Sequence, residues 1–164
     1  MPEYHVLRKD REIVDPDEIM DIVRRQAILT IGMAWEGVPY LVTVNYAYDA
    51  RRKAFYFHSA RAGKKVDYLE ANPSVWCQIL EDRGYIAGTC DWSYRSVHFP
   101  GTARFVRDSQ EARHALSLLL DKLEPDPGVR RRLLGEADLR EVAVFRIDPG
   151  PFTGKENPGP TAGG

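Results

Sequence analysis

The run Phe57-His58-Ser59-Ala60-Arg61-Ala62-Gly63-Lys64-Lys65 puts a hydroxyl, a glycine and three cations where a strand passes into a helix start. The backbone N–H groups of such a start carry about half a positive charge, and with lysine and arginine beside them they can seat a phosphate. Cations there work against the helix itself, although Arg61, Lys64 and Lys65 can equally be read as a solvated face. His58 is the histidine to consider as a proton donor or axial ligand, because imidazole titrates near neutral pH. A strand-end histidine bonded at a barrel rim leaves the same trace in sequence.

A second constellation is Cys90-Asp91-Trp92-Ser93-Tyr94-Arg95-Ser96-Val97, with two aromatics, two hydroxyls and an arginine at a strand entry. Trp92 and Tyr94 could flank a flat ring; an edge strand with a core tryptophan and an exposed arginine gives the same pattern. Other chemistries lack their motifs. No G-x-G-x-x-G follows a strand, and Gly150-Pro151-Phe152-Thr153-Gly154-Lys155-Glu156 is one residue short of a P-loop, with no hydroxyl after its lysine. His5, His58, His98 and His114 are scattered without H-E-x-x-H, the cysteines form no C-x-x-C, and no G-x-S-x-G elbow occurs, so no metal site is expected.

These groups sit on a chain of 164 residues, 43% hydrophobic and 29% charged, ordinary values for one globular domain. A net charge of -1 removes the basic footprint of a nucleic-acid binder. Met1-Pro2-Glu3-Tyr4-His5 does not open like a signal peptide, no apolar run approaches the ~20 residues of a membrane span, and Cys77 and Cys90 read as reduced thiols. Cytoplasmic location without membrane contact is the expectation.

Asp15-Pro16-Asp17-Glu18 supplies an N-cap, a first-turn proline and a glutamate three residues on, which starts a helix over 16–26. Three strands follow up to Ala60, punctuated at Glu36-Gly37 and 49–52 as an antiparallel meander. A helix over 64–71 stops at Asn72-Pro73. A fourth strand covers 75–80, residues 81–93 read as a loop, and a fifth strand runs 94–99, breaks at Pro100-Gly101 and resumes to 106. Asp108-Ser109-Gln110-Glu111 opens an amphipathic helix, 129–134 is a shorter one, and 142–147 is the last strand. The fold class is α+β, a mostly antiparallel split β-barrel with peripheral helices. One domain spans 1–155, and 156–164 is a disordered tail with little to bury. Strand-borne Tyr46, Tyr48 and Tyr56 are expected to leave an apolar patch that a second copy covers.

Taken in order, Pro39 to Tyr46, Phe55 to Ser59, Gly63-Lys64-Lys65, Asn72-Pro73, Tyr94-Arg95-Ser96-Val97, Gly101 and Thr153-Gly154-Lys155 resemble the nitroimidazole-resistance proteins of the pyridoxamine 5′-phosphate oxidase-related FMN-binding group. The resemblance spans about Leu7 to Lys155, and F-H-S-x-x-x-G-K-K together with Y-R-S-V carries it. It implies a homodimer with FMN in a cleft between subunits and the phosphate near the Ser59 to Lys65 segment. Val42, Thr43, Val44 and Asn45 match the strand beside the flavin ring, and Arg95, Ser96 and Val97 match a second contacting strand, with Trp92 nearby in the segment that varies most. It further implies reduction of a nitro group on a small molecule, fed by NAD(P)H or another donor. Related split barrels bind haem or deazaflavin instead, so a carrier or sensor without turnover is the alternative. No catalytic side chain is required, because a flavin itself carries the electron transfer.

Overall fold

The computed structural model describes residues 6–159; the segment from Met1 to His5 and the last five residues of the expected tail lie outside them. After a 3-10 turn at Lys9–Arg11 come β1 (Glu12–Ile13), α1 (Pro16–Arg25), β2 (Ile28–Trp35), β3 (Val38–Asn45), β4 (Ala47–Asp49) and β5 (Ala54–Ala60). Then follow α2 (Lys64–Ala71), β6 (Ser74–Ile86), β7 (Asp91–Phe105), α3 (Ser109–Leu123), α4 (Pro127–Glu136), β8 (Val142–Pro149) and β9 (Thr153–Asn157). All strand pairs are antiparallel, in the order β3-β2-β6-β7-β8-β5-β4, with β9 joining β7 and β1. The α+β split-barrel expectation holds, with the sheet open rather than closed.

The β2–β3 connection shows how locally this is encoded. Glu36 and Gly37 have φ of 50° and 78°, both positive, which is the two-residue turn whose twist matches its flanking strands. Farther along, the expected loop at 81–93 is instead a hairpin. β6 continues to Ile86 and pairs with β7 down to Tyr85↔Trp92 and Ile86↔Asp91. A register shift between Asp82 and Gly84 inserts one residue, which flips the inside-outside parity and erases the alternation that marks a strand in sequence. The expected break at Pro100-Gly101 is also absent, since β7 runs through it. The Pro100 carbonyl accepts from Gly150 N–H at 2.7 Å, so its missing N–H points to the same side, into the gap where β7 stops pairing with β8 at Gly101↔Pro149 and takes up β9 at His98↔Thr153.

Two apolar clusters hold the fold. The larger fills the barrel, with Leu29, Ile31, Phe55, Phe57, Ile79, Val97, Phe99 and Phe145 against Ile22 and Val23 of α1. The smaller lies on the opposite face of β4, β5 and β8, where Ala112, Ala115, Leu116 and Leu119 of α3 cover Tyr56 and Val144. The tyrosine patch expected to drive association is therefore absent: Tyr46 and Tyr56 are fully buried and Tyr48 is half-buried. Tyr46 donates to the Val23 carbonyl at 2.7 Å under the Lys122 ammonium, and Tyr56 donates to Glu111 at 2.7 Å.

The domain edge drawn after Lys155 also moves, because Glu156 and Asn157 belong to β9. Asn157 is buried, donates from its side chain to the Trp92 carbonyl at 2.7 Å and accepts the Ser93 hydroxyl on its own carbonyl at 3.0 Å. Composition could not show this, since the partners of β9 are strands far away in the chain.

Candidate functional site

At its N-terminus α2 differs from the other helices. Asp15, Asp108 and Asp126 cap α1, α3 and α4 with side-chain carboxylates, whereas α2 starts on Gly63 at φ 127° with no side-chain cap. The Gly63 carbonyl takes the N–H groups of Val66 and Asp67, and no side chain caps those of Lys64 and Lys65. Only glycine adopts such a φ without strain, so this approach to the helix requires it. Among the described residues neither lysine has an acid partner. The Lys64 ammonium stands 4.4 Å from the Tyr40 ring centroid and 5.5 Å from that of Tyr68, and the Lys65 ammonium stands 5.7 Å from that of Phe57.

Burial depresses Lys65, and burial followed by the Lys65 charge depresses His58, so the imidazole favours its neutral form at neutral pH. Ser59, next along β5, turns its hydroxyl onto the Ala60 carbonyl at 2.8 Å. Arg61 turns away from the lysines, donating to the Leu139 carbonyl at 2.7 Å. Thus His58, Ser59, Gly63, Lys64 and Lys65 gather at one strand-to-helix corner, and Arg61 leaves it.

The strand residues of the expected site divide by parity. On β3, Val42 and Val44 face the core while Thr43 and Asn45 face outward; on β7, Arg95 and Val97 face inward while Trp92 and Ser96 face outward. Arg95 is buried and committed, its guanidinium 2.6 Å and 3.0 Å from Glu81 and 3.3 Å from Asp21. The backbone of β7 at Arg95 and Val97 is paired with β6 on one side and β9 on the other, so neither residue offers a ligand its side chain or a free strand edge. Trp92 donates its indole N–H to Asp82 at 2.6 Å.

That outer face spans β3, β2, β6, β7 and β9, and its rows follow from the registers: Thr43, Thr30, Gln78, His98 and Thr153 in one, Leu41, Gly32, Trp76 and Pro100 in another. Thr43 and Ser96 are three strand spacings apart across the sheet, about 14 Å, and two residues apart along it, so they lie on one face without touching. Over β6, β7 and β9 on this face lies a groove of about 360 Å³ lined by Gln78, Leu80, Tyr94, Ser96, His98 and Lys155. Gln78 and His98 are hydrogen bonded at 3.3 Å, and burial followed by the Lys155 charge lowers His98. Sequence reasoning missed Gln78, His98 and Lys155. The first two share one outward row of paired strands, a signal available only once the β6–β7 register is known.

Residues 15–156 match the pyridoxamine 5′-phosphate oxidase family. The chain belongs to that family. Among solved structures, a Bacteroides thetaiotaomicron protein named for 5-nitroimidazole antibiotic resistance is 25% identical, with a TM-score of 0.71, covering 88% of this chain and 86% of that one. An FAD-binding protein from Mesorhizobium loti is 24% identical at a TM-score of 0.64, covering 90% and 97%. A flavocytochrome from Azotobacter vinelandii is 22% identical at a TM-score of 0.79, covering 95% and 74%. No protein with a curated description matches the sequence. The last two likenesses bear on the fold alone. No helix among the described residues is long and apolar enough to cross a membrane.

Proposed function

We propose that the chain is a flavoprotein that binds FMN by its phosphate at the start of α2 and reduces small nitro-aromatic compounds of the 5-nitroimidazole class. The uncapped α2 start carries this reading. Two N–H groups without side-chain caps, two lysines without acid partners and a glycine that lets a ligand approach the backbone form the donor set a phosphate dianion needs. The remaining helices spend that position on an aspartate. FMN suits the site better than an uncharged flavin for this reason.

When bound, a flavin supplies hydride and electron transfer. The chain's own residues bind and orient it: Lys64 and Lys65 hold the phosphate, Ser59 can turn its hydroxyl from the Ala60 carbonyl toward it, and Thr43 and Asn45 present the edge of β3. His58, neutral and beside Lys65, would be the residue to relay a proton near the bound flavin.

A homodimer completes the reading. Ile28, Leu41, Trp76 and Leu80 are 53%, 69%, 49% and 48% exposed on the outer sheet face, which no helix covers, and a second copy would bury them. The reductase is placed in the cytoplasm, with NAD(P)H or another soluble donor.

The test is anaerobic stopped-flow on the purified protein loaded with FMN. Bleaching of the flavin absorption by NAD(P)H and its recovery with a 5-nitroimidazole supports the reductase. A flavin that binds and stays inert to donor and nitro compound makes the protein a carrier or sensor. Failure to take up FMN removes the reading altogether.

A further inference from the structure

Beyond Arg61, on the side of the sheet covered by α3, a cavity of about 250 Å³ opens between Arg61, Phe105, Arg107, Ser109, Val142 and Val144. The Leu139 carbonyl fixes the Arg61 guanidinium, whose carbon stands 5.0 Å from the Phe105 ring centroid; that of Arg107 stands 5.9 Å from the same centroid. Neither has an acid partner among the described residues. Elsewhere on this flank arginines have acid partners, since Arg52, Arg104 and Arg146 converge on Glu111 with Asp49 beside Arg52 and Asp148 beside the other two. The acid between Arg107 and Ser109 is Asp108, and its carboxylate is engaged by the Glu111 backbone N–H at 2.7 Å as the cap of α3.

Both guanidinium groups line this cavity without an acid partner among the described residues, and an anion in it would meet two positive charges. Each guanidinium has five N–H donors in a planar fork, and Arg61 gives a single hydrogen bond, to Leu139. Apart from the arginines and Ser109 the cavity's walls are apolar, Val142 and Val144 among them, and its volume is below the range of about 300–1,000 Å³ typical of drug-sized ligands.

We propose that this cavity is a second anion site, separate from the start of α2, that takes a compact molecule with its carboxylate or phosphate head on Arg61 and Arg107 and its apolar body against Val142 and Val144. The proposal does not depend on flavin binding.

The full chain is titrated with benzoate, phenyl phosphate and benzyl alcohol, followed by calorimetry and by amide chemical shifts. Saturable binding of benzoate or phenyl phosphate with a Kd of about 1 mM or tighter is expected, with none for the neutral alcohol. The tighter anion identifies the head group. Arg107→Ala, at an exposed position, should weaken that binding by about tenfold or more at unchanged melting temperature, and Arg61→Lys should weaken it as well. Binding should persist with FMN present and in the Lys64→Ala/Lys65→Ala variant. The proposal is overturned if neither anion saturates, if Arg107→Ala binds like wild type, or if FMN or the lysine variant abolishes binding, because the anion then occupies the α2 start.

Discussion

Replacing Lys64 and Lys65 together by alanine should weaken FMN while leaving riboflavin where it was. The phosphate that separates the two ligands carries about -1.5 to -2 charges, and one well-formed hydrogen bond to a charged group contributes about 1.5–3 kcal/mol, or roughly 10- to 150-fold in affinity. The two lysines should contribute unequally. Lys64 already rests 4.4 Å from the Tyr40 ring, a cation–π contact of about 0.5–1 kcal/mol that it must loosen to reach a ligand. Lys65 lies farther from its ring, at 5.7 Å, and burial has already stripped part of its hydration. We therefore expect Lys65→Ala to cost about tenfold or more and Lys64→Ala less than about fivefold. Fluorescence-quenching titrations with both flavins measure this, and Lys65→Met separates charge from the packing of the aliphatic stem. If the double variant keeps the wild-type preference for FMN over riboflavin, the lysines are a solvated face and the phosphate lies elsewhere.

Other regions offer independent checks. Arg95→Met should destabilise the fold by about 1–3 kcal/mol, because it removes the 2.6 Å partner of the Glu81 carboxylate and leaves it only the partly exposed Arg83 at 2.8 Å; urea denaturation measures this, and a loss under about 0.5 kcal/mol would contradict the argument from the buried guanidinium. Burial raises Glu81 but the hydrogen bonds from Arg95 and Arg83 outweigh it, so its pKa is lowered on folding. Its stabilisation is thus complete above the unfolded value of about 4.3 and is lost as pH falls through the folded one, and the acid limb of the stability profile should flatten in Arg95→Met. Truncation after Lys155 should cost about 2–4 kcal/mol through the lost Asn157 hydrogen bonds, and Asn157→Ala, which loses only the side-chain bond to Trp92, should reproduce part of that loss; an unchanged melting temperature would show that the end of β9 is dispensable. Sedimentation equilibrium should give twice the 18.7 kDa chain mass for wild type and the single mass for Leu41→Asp combined with Trp76→Glu, whereas a wild-type monomer would rule out the proposed interface.

Elements whose determinants lie within a few residues of each other were legible in the sequence. The turn at Glu36-Gly37, the aspartate caps of α1 and α3, and the start of α2 after Gly63 with its stop at Asn72-Pro73 depend on local dihedrals and neighbouring donors, which residue type alone sets. The barrel class followed from how these pieces alternate. What tertiary structure decided was every property that depends on a distant partner. β9 is a strand because it sits between Ile13 of β1 and Val97 of β7, and the Cβ of any larger residue at Gly154 would meet Ile13 at 2.8 Å. The parity of β6 beyond Asp82 turns on a bulge, and Arg95 is lost to a ligand because Glu81 and Asp21 arrive on its inward side. Likewise, Tyr46 and Tyr56 are core rather than interface because α1 and α3 bring the Val23 carbonyl and Glu111 to their hydroxyls. Alternation along a strand tells which residues share a face, but which face meets the core, a helix or a ligand is settled only when the chain closes on itself.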